Sequence, residues 1–327
     1  MKVLVTGGAG FIGSHVVDRL IAAGHDVAIA DNLTTGRREN VNPAARFYAA
    51  DIRDPGALGR VFEAERPEIV SHQAAQASVN VSMADPPRDA EINVIGSLHV
   101  LEACRQHGVR KVVYAGTGGA AVGEPKYIPV DEDHPVDPLS PYGASKHAVE
   151  HYCSLYRANW GLDSTVLRYA NVYGPRQDPY GEAGVIAIFT ARMLGGGEPI
   201  VNGSGEQERD YVYVGDVAEA NLLALERGGG GMYHLGTGIG TSVNALFEKL
   251  AALIGYARPR KHGPALPGEV FKIALSAERA RRDLGWRPRV SLDEGLRLTV
   301  ESLRAASQAS STAGVVRPGR STRRSPN

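Results

Sequence analysis

The sequence predicts an α/β fold: a doubly wound parallel sheet followed by a smaller C-terminal α/β lobe. Three observations carry the prediction. Short apolar runs alternate with helix-length segments through the first half of the chain. The runs hold little charge, as strands covered on both faces must. Finally, a glycine cluster lies directly between the first run and the first helical segment.

The elements follow in order. Strands are expected at 2–6, 27–31, 46–51, 69–74, 111–115 and 165–169, which as a set are rich in Val, Ile and Tyr. Helices are expected at 10–23, 55–65, 87–107 and 141–160. Gly24 and Gly108 stand where helices stop, and Asp54-Pro55 and Ser140-Pro141 where they start. After Gly174 the rhythm changes. Glycine thickens at 195–197 and 228–231, with short strands at 199–202 and 211–214 and helices at 216–225 and 242–254. This implies a first domain over 1–174, a lobe over 175–304 that partly rejoins the first sheet, and a tail over 305–327. The tail is Ser/Ala/Arg-rich without periodicity, and disorder is expected there.

Composition excludes several classes. The 327 residues carry 36 Lys+Arg against 36 Asp+Glu, so no global charge favours nucleic acid or an acidic membrane. Four of those arginines (Arg317, Arg320, Arg323, Arg324) sit in the tail, leaving 32 basic against 36 acidic residues in the body. No apolar run approaches the roughly 20 residues of a membrane span. The two cysteines, Cys104 and Cys153, are too few for a disulfide framework or a Cys-rich zinc module. A cytoplasmic, reducing setting is expected.

Thr6-Gly7-Gly8-Ala9-Gly10-Phe11-Ile12-Gly13 opens the first helix straight from the first strand. A pyrophosphate needs glycines here, because it must approach backbone N–H groups at a helix N-terminus. Asp31 ends the second strand 18 residues after Gly13, where a carboxylate holds the ribose hydroxyls and repels a 2′-phosphate. NAD is therefore the expected cofactor, with Arg37 and Arg38 close behind as potential phosphate acceptors. Asp51-Ile52, ending the third strand, is placed to contact adenine.

Tyr142 and Lys146 lie four residues apart at the start of a long helix, on one face. A phenol titrating near 10 becomes a base near neutrality only where its anion is stabilised, and an ammonium one turn away supplies that. Thr117, 25 residues upstream, can bridge the tyrosine and a substrate hydroxyl. His147 and His151 match a zinc-protease pattern, but at about 100° per residue they point well away from Tyr142. No metal is expected.

These motifs, with His72-Gln73-Ala74-Ala75, Asn93, Arg168-Tyr169-Ala170-Asn171 and Arg209-Asp210, resemble the extended short-chain dehydrogenase/reductase superfamily, and within it the UDP-glucose 4-epimerases. The resemblance runs from Met1 to about Arg304. It implies a Rossmann-type NAD domain and a nucleotide-sugar substrate beneath the C-terminal lobe. By resemblance, Thr117, Tyr142 and Lys146 are catalytic. The cofactor residues are Gly7, Gly10, Phe11, Ile12, Gly13, Asp31, Asn32, Asp51, Ile52, Ala74, Ala75, Asn93, Tyr142, Lys146 and Tyr169. Those for substrate are Thr117, Tyr142, Asn171, Arg209, Glu269 and Ile273, the last in the wall near the sugar's C2 substituent. The implied chemistry is oxidation at the sugar's C4, rotation of the 4-keto sugar and reduction from the other face.

The chain departs from the family pattern at Gly116, Val122, Asn202 and Leu266. Sister enzymes that dehydrate or decarboxylate place an acid after the Ser/Thr; Gly118, Gly119 and Ala120 follow Thr117 here. Alternatives are an epimerase of UDP-glucuronate or UDP-N-acetylglucosamine, or a non-catalytic NAD-binding sensor. The family also implies a homodimer built on the helices at 87–107 and 141–160, with Leu98, Leu101 and Val149 at the seam.

Overall fold

The computed structural model describes residues 1–180, 184–265 and 270–312. Its first half runs β1 (Lys2–Thr6), α1 (Phe11–Ala22), β2 (Asp26–Asp31), β3 (Arg46–Ala49), α2 (Pro55–Glu65) and β4 (Ile69–His72). Then come α3 (Val79–Ala84), α4 (Pro86–Ala90), a π-helical turn over Glu91–Ile95, and α5 (Gly96–Gln106). β5 (Lys111–Thr117), α6 (Gly119–Val122), α7 (Pro141–Trp160) and β6 (Asp163–Tyr169) close this half. Side-chain caps fix the starts: Asp54 accepts from the Ala57 N–H at 3.0 Å, and Ser140 from the Gly143 N–H at 3.2 Å. Gly161, left-handed at φ +71°, ends α7.

The second half adds β7 (Asn171–Tyr173), α8 (Val185–Leu194), β8 (Ile200–Asn202), β9 (Glu208–Tyr213) and α9 (Val214–Ala224). It continues with β10 (Met232–Leu235), β11 (Gly240–Ser242), α10 (Val243–Ile254), β12 (Lys261–Gly263), α11 (Glu278–Asp283) and α12 (Leu292–Thr312).

The main sheet has seven parallel strands in the order β10-β6-β5-β4-β1-β2-β3. Strand order reverses between β1 and β4, so a crevice opens at their carboxyl ends. One face is covered by α1 and α9 through Val16, Leu20, Val217 and Ala220, the other by α2, α5 and α7 through Phe62, Leu101, Cys104, Val149 and Cys153. The lobe has its own core of Tyr173, Phe189, Val201, Leu246, Phe247 and Leu296. It carries the small sheets β11-β9-β7 and β12-β8. α9 and β10 leave the lobe and return to the first sheet.

Four expectations need correction. The helix read at 87–107 is three pieces, because Asp85 caps α4 and the π-turn then interrupts the helical ladder. The strands read to Asp51 and Ala74 end at Ala49 and His72, while β5 runs on to Thr117. Leu101 and Val149 lie in the core, 1% and 0% exposed, so only Leu98 of the three stands at the outer face. Residues 305–312 are helical, continuing α12, as Ala305, Ala306 and Gln308 favour. The tail's arginines lie outside the described residues.

Candidate active site

β1 delivers the glycine turn at the crevice. Gly7 adopts φ +68°, and a Cβ on it would sit 2.7 Å from the Ala74 nitrogen in the loop after β4. A Cβ on Gly13 would lie 2.1 Å from the Gly7 carbonyl oxygen. The two close approaches leave no room for side chains. They leave the N-terminus of α1, at Phe11 and Ile12, without a side-chain cap or an acid in its first turn. Such an end attracts phosphate.

A directional hydrogen-bond chain ties this turn to the helices behind it. The Ala74 N–H donates to Thr6 Oγ1 (3.3 Å), and Thr6 pairs with His72 Nδ1 (2.7 Å). His72 Nε2 reaches Ser97 Oγ (2.9 Å), which donates to the Asn93 carbonyl (2.5 Å). Because Ser97 donates onward, His72 Nε2 carries a proton, and burial, helped by the charge of Lys146, pushes the ring's pKa down to about 3, which keeps it neutral and leaves Nδ1 to accept from Thr6. Asn93, in the π-turn, accepts from the Gln76 N–H and donates to the Gln76 carbonyl, to Asp89 Oδ1 and to Ser145 Oγ. Its amide is thus engaged with protein partners, between the β4 loop and α7.

Asp31 accepts from the Ala9 N–H (3.0 Å) and the Leu33 N–H (2.8 Å). Asp51 accepts from Asn32 Nδ2 (2.8 Å) and from Arg53, whose guanidinium holds it well below the usual carboxylate range. Ile52 is buried against Gly96. The Tyr169 hydroxyl bonds Gln73 (3.1 Å) and Asn221 (2.9 Å), and burial raises its pKa to about 12.

Tyr142 and Lys146 rise from the first turns of α7 beside the end of β5. Burial pushes Tyr142 up to about 12, against the Thr117 hydroxyl, which lowers it; the nearby Asp89 carboxylate also raises it. Lys146 is 4% exposed, with Nζ 4.4 Å from the Tyr114 ring centroid. Burial lowers it to about 8, while Glu150 and Asp89 pull the other way. A phenol, a hydroxyl that favours its anion and an easily deprotonated ammonium can move a proton at a substrate hydroxyl.

A model of the NAD dependent epimerase/dehydratase family matches residues 3–236. The chain belongs to that family. A UDP-glucose 4-epimerase of Mycolicibacterium smegmatis is 46% identical over 315 residues, 94% of this chain and 100% of that one. The crystal structure of a UDP-glucose 4-epimerase from Thermotoga maritima with UDP-glucose has a TM-score of 0.93 and 52% identity, covering 94% of this chain and 100% of that one. The Thermus thermophilus UDP-glucose 4-epimerase in complex with NAD has a TM-score of 0.90 and 50% identity over the same shares.

Toward the lobe of this epimerase/dehydratase family member, Asn171 is exposed at the start of β7, which pairs in parallel with β9. Arg209 lies on β9 and donates to the Glu208 carbonyl (2.8 Å). Asp210 beside it accepts from the backbone of Thr237, Gly238 and Leu275, fixing the strand against the 237–238 turn. Ile273 is 4% exposed, in a small cluster with Val122, Val130 and Leu275 behind the turn that follows Thr117. Glu269 and Leu266 lie outside the described residues. Among the described residues no group of three or more metal-ligating side chains comes together.

Sequence reading missed two groups. Asp89 is fully buried, with Oδ1 accepting from Gln76 and Asn93 and Oδ2 unpartnered. Its signal was an acid four residues before Asn93. Glu150, four residues after Lys146, pairs with Arg168 of β6 at 2.8 and 2.5 Å, deep in the fold. This pair also accounts for Gly116: a Cβ there would meet Glu150 Oε1 at 3.1 Å and Arg168 Cγ at 3.2 Å.

Proposed function

We propose that this enzyme interconverts UDP-glucose and UDP-galactose at C4, using bound NAD. The observation that carries the choice is the turn after Thr117. Gly118 stands at the position that holds an acid in dehydrating relatives, so the group that chemistry needs is missing; a Cβ there would also require the end of Leu275, 2.2 Å away, to move. What remains is the Thr117–Tyr142–Lys146 set, which is sufficient for removing and returning one proton.

Gly7, Gly10, Phe11, Ile12 and Gly13 would hold the pyrophosphate of NAD, Asp31 and Asn32 its adenosine ribose, and Asp51 and Ile52 its adenine. Ala74, Ala75, Asn93, Lys146 and Tyr169 would line the nicotinamide half. When bound, NAD supplies the hydride acceptor and donor at the sugar's C4. Tyr142 Oη takes the proton of the 4-hydroxyl and later gives it back, with Thr117 fixing its direction and Lys146 favouring its anion. Asn171 and Arg209 hold the substrate's phosphates, Glu269 its uridine ribose, and Ile273 backs the sugar wall.

A second copy of the chain is proposed on the α5/α7 face. Ile95, Leu155 and Trp160 are 45%, 50% and 54% exposed along an open groove with Leu98 and Tyr152. That exposure supports an isologous contact. Two free, buried cysteines and the lack, among the described residues, of a helix able to cross a membrane fit a cytoplasmic setting.

The test is turnover of UDP-galactose by the purified protein with no second substrate. A protein that retains NAD yet leaves the sugar unchanged refutes the reading.

A further inference from the structure

We propose that Asp178 is a specificity-determining residue for the cofactor: it holds Arg37 away from the ribose 2′-position and so keeps the site selective for NAD over NADP. The inference rests on the reading above that the adenosine ribose lies against Asp31.

After Asp31 the chain turns back on it. Gly36 comes so close that a Cβ would sit 2.7 Å from Asp31 Oδ1. Arg37 therefore starts beside that carboxylate, its N–H bonded to the Ala9 carbonyl at 2.9 Å. An arginine rooted here is the residue type that accommodates a 2′-phosphate. Its guanidinium is drawn elsewhere: Nη2 lies 2.9 Å from Asp178 Oδ2, and Nη1 3.5 Å from Glu39. Arg38, the other candidate, is stacked with its guanidinium carbon 4.2 Å from the Phe47 ring centroid.

Asp178 is held in place for this task. The segment carrying it is fastened to α1 twice: His15 Nε2 donates to the Pro175 carbonyl at 2.9 Å, and Arg176 pairs with Asp18. Asp31 repels a 2′-phosphate, and Asp178 occupies the cation that would otherwise answer it. Both members of the Arg37–Asp178 pair are partly exposed, at 33% and 41%, so the pair adds little to stability. Its effect belongs in the ratio of two affinities.

The experiment measures Kd for NAD and NADP on nucleotide-stripped wild type, Asp178→Asn, Asp178→Glu, and Asp178→Asn combined with Arg37→Met. Asp178→Asn should lower the NADP-to-NAD Kd ratio by about tenfold, the worth of a charge-assisted phosphate contact. Asp178→Glu should keep the wild-type ratio, and adding Arg37→Met should restore it. An unchanged ratio in Asp178→Asn overturns the proposal. So does a lowered ratio that Arg37→Met fails to reverse, since the effect would then be loss of a negative charge alone. A wild type that binds neither nucleotide contradicts the underlying NAD reading instead.

Discussion

Thr117, the last residue of β5, acts on the Tyr142 phenol in the first turn of α7 and draws its pKa down. Among the described groups that act on the phenol, Thr117 is the one that lowers its pKa, against burial and Asp89. Tyr142 is thus protonated near neutrality in the protein's own field, and its anion forms only as the reaction demands it.

Tyr142→Phe should cut turnover by roughly 10²–10⁴-fold while leaving NAD affinity nearly unchanged. The ring stays and only the proton-carrying oxygen goes. Rates from UDP-galactose, set beside NAD retention by equilibrium dialysis, check both halves; a near-normal rate dismisses the assignment.

Asp89→Asn should move the pH–rate profile toward lower pH. The Asp89 carboxylate raises the pKa of both Tyr142 and Lys146, so its neutral isostere lowers both. The alkaline limb, where Lys146 loses its proton near 8, should shift first. The stability sign is separate. Lys146 is lowered from 10.5, so the unfolded chain binds the extra proton between about 8 and 10.5, and this group makes the fold more stable as pH rises through that window. A profile that stays fixed in Asp89→Asn counts against the coupling.

Glu150→Ala should destabilise the fold by about 3–5 kcal/mol, because it strands the Arg168 charge in the interior. Arg168 is 1% exposed. Replacing both together, Glu150→Leu with Arg168→Met, should recover most of the loss. Urea unfolding of the three proteins is the measurement, and a double variant as weak as the single one would show that the pair is not an isolated unit.

Ile273→Gly should improve turnover of UDP-N-acetylglucosamine relative to UDP-glucose. Ile273 packs behind the turn after Thr117, with its Cδ1 3.6 Å from where a Gly119 Cβ would be, and on the proposal that this turn faces the sugar its removal opens the wall there. The ratio of the two kcat/KM values is the quantity to follow. An unchanged ratio removes Ile273 from the sugar wall.

Leu155→Glu should convert a dimer to a monomer without loss of fold. Leu155 is half-exposed on the α5/α7 face, and a buried carboxylate at a two-fold seam is repeated on both partners. Sedimentation with and without the substitution decides it. A wild-type monomer at micromolar concentration contradicts the seam.

Much of this site was legible because its chemistry is local. The glycine turn, Asp31 and the Tyr142/Lys146 pair each follow from residues next to one another in sequence and from the ends of strongly apolar strands. What escaped was set by tertiary contact. The Asn93 turn looks like plain helix in sequence, and becomes a π-turn where Gln76, Asp89 and Ser145 converge on one amide. Leu101 and Val149 read as seam residues by apolarity alone, and only the placement of α5 and α7 on the sheet shows them turned inward. Gly116 reads as a departure until Glu150 and Arg168, 18 positions apart, are seen to fill the space beside it.

The return of β10 to the edge of β6 bears on how the chain is made. In the register of this pair Met232 lies beside Val166, 66 positions earlier. At about 5–20 residues per second, a ribosome takes about 3–13 s to supply the partner after β6 itself has been synthesised. Throughout that interval β6 presents an unpaired edge, the kind of surface on which strands of neighbouring nascent chains assemble. Chains released early, anywhere in 174–231, never acquire their cover. Uninterrupted translation across the lobe therefore shortens the time for which the edge of β6 stands open.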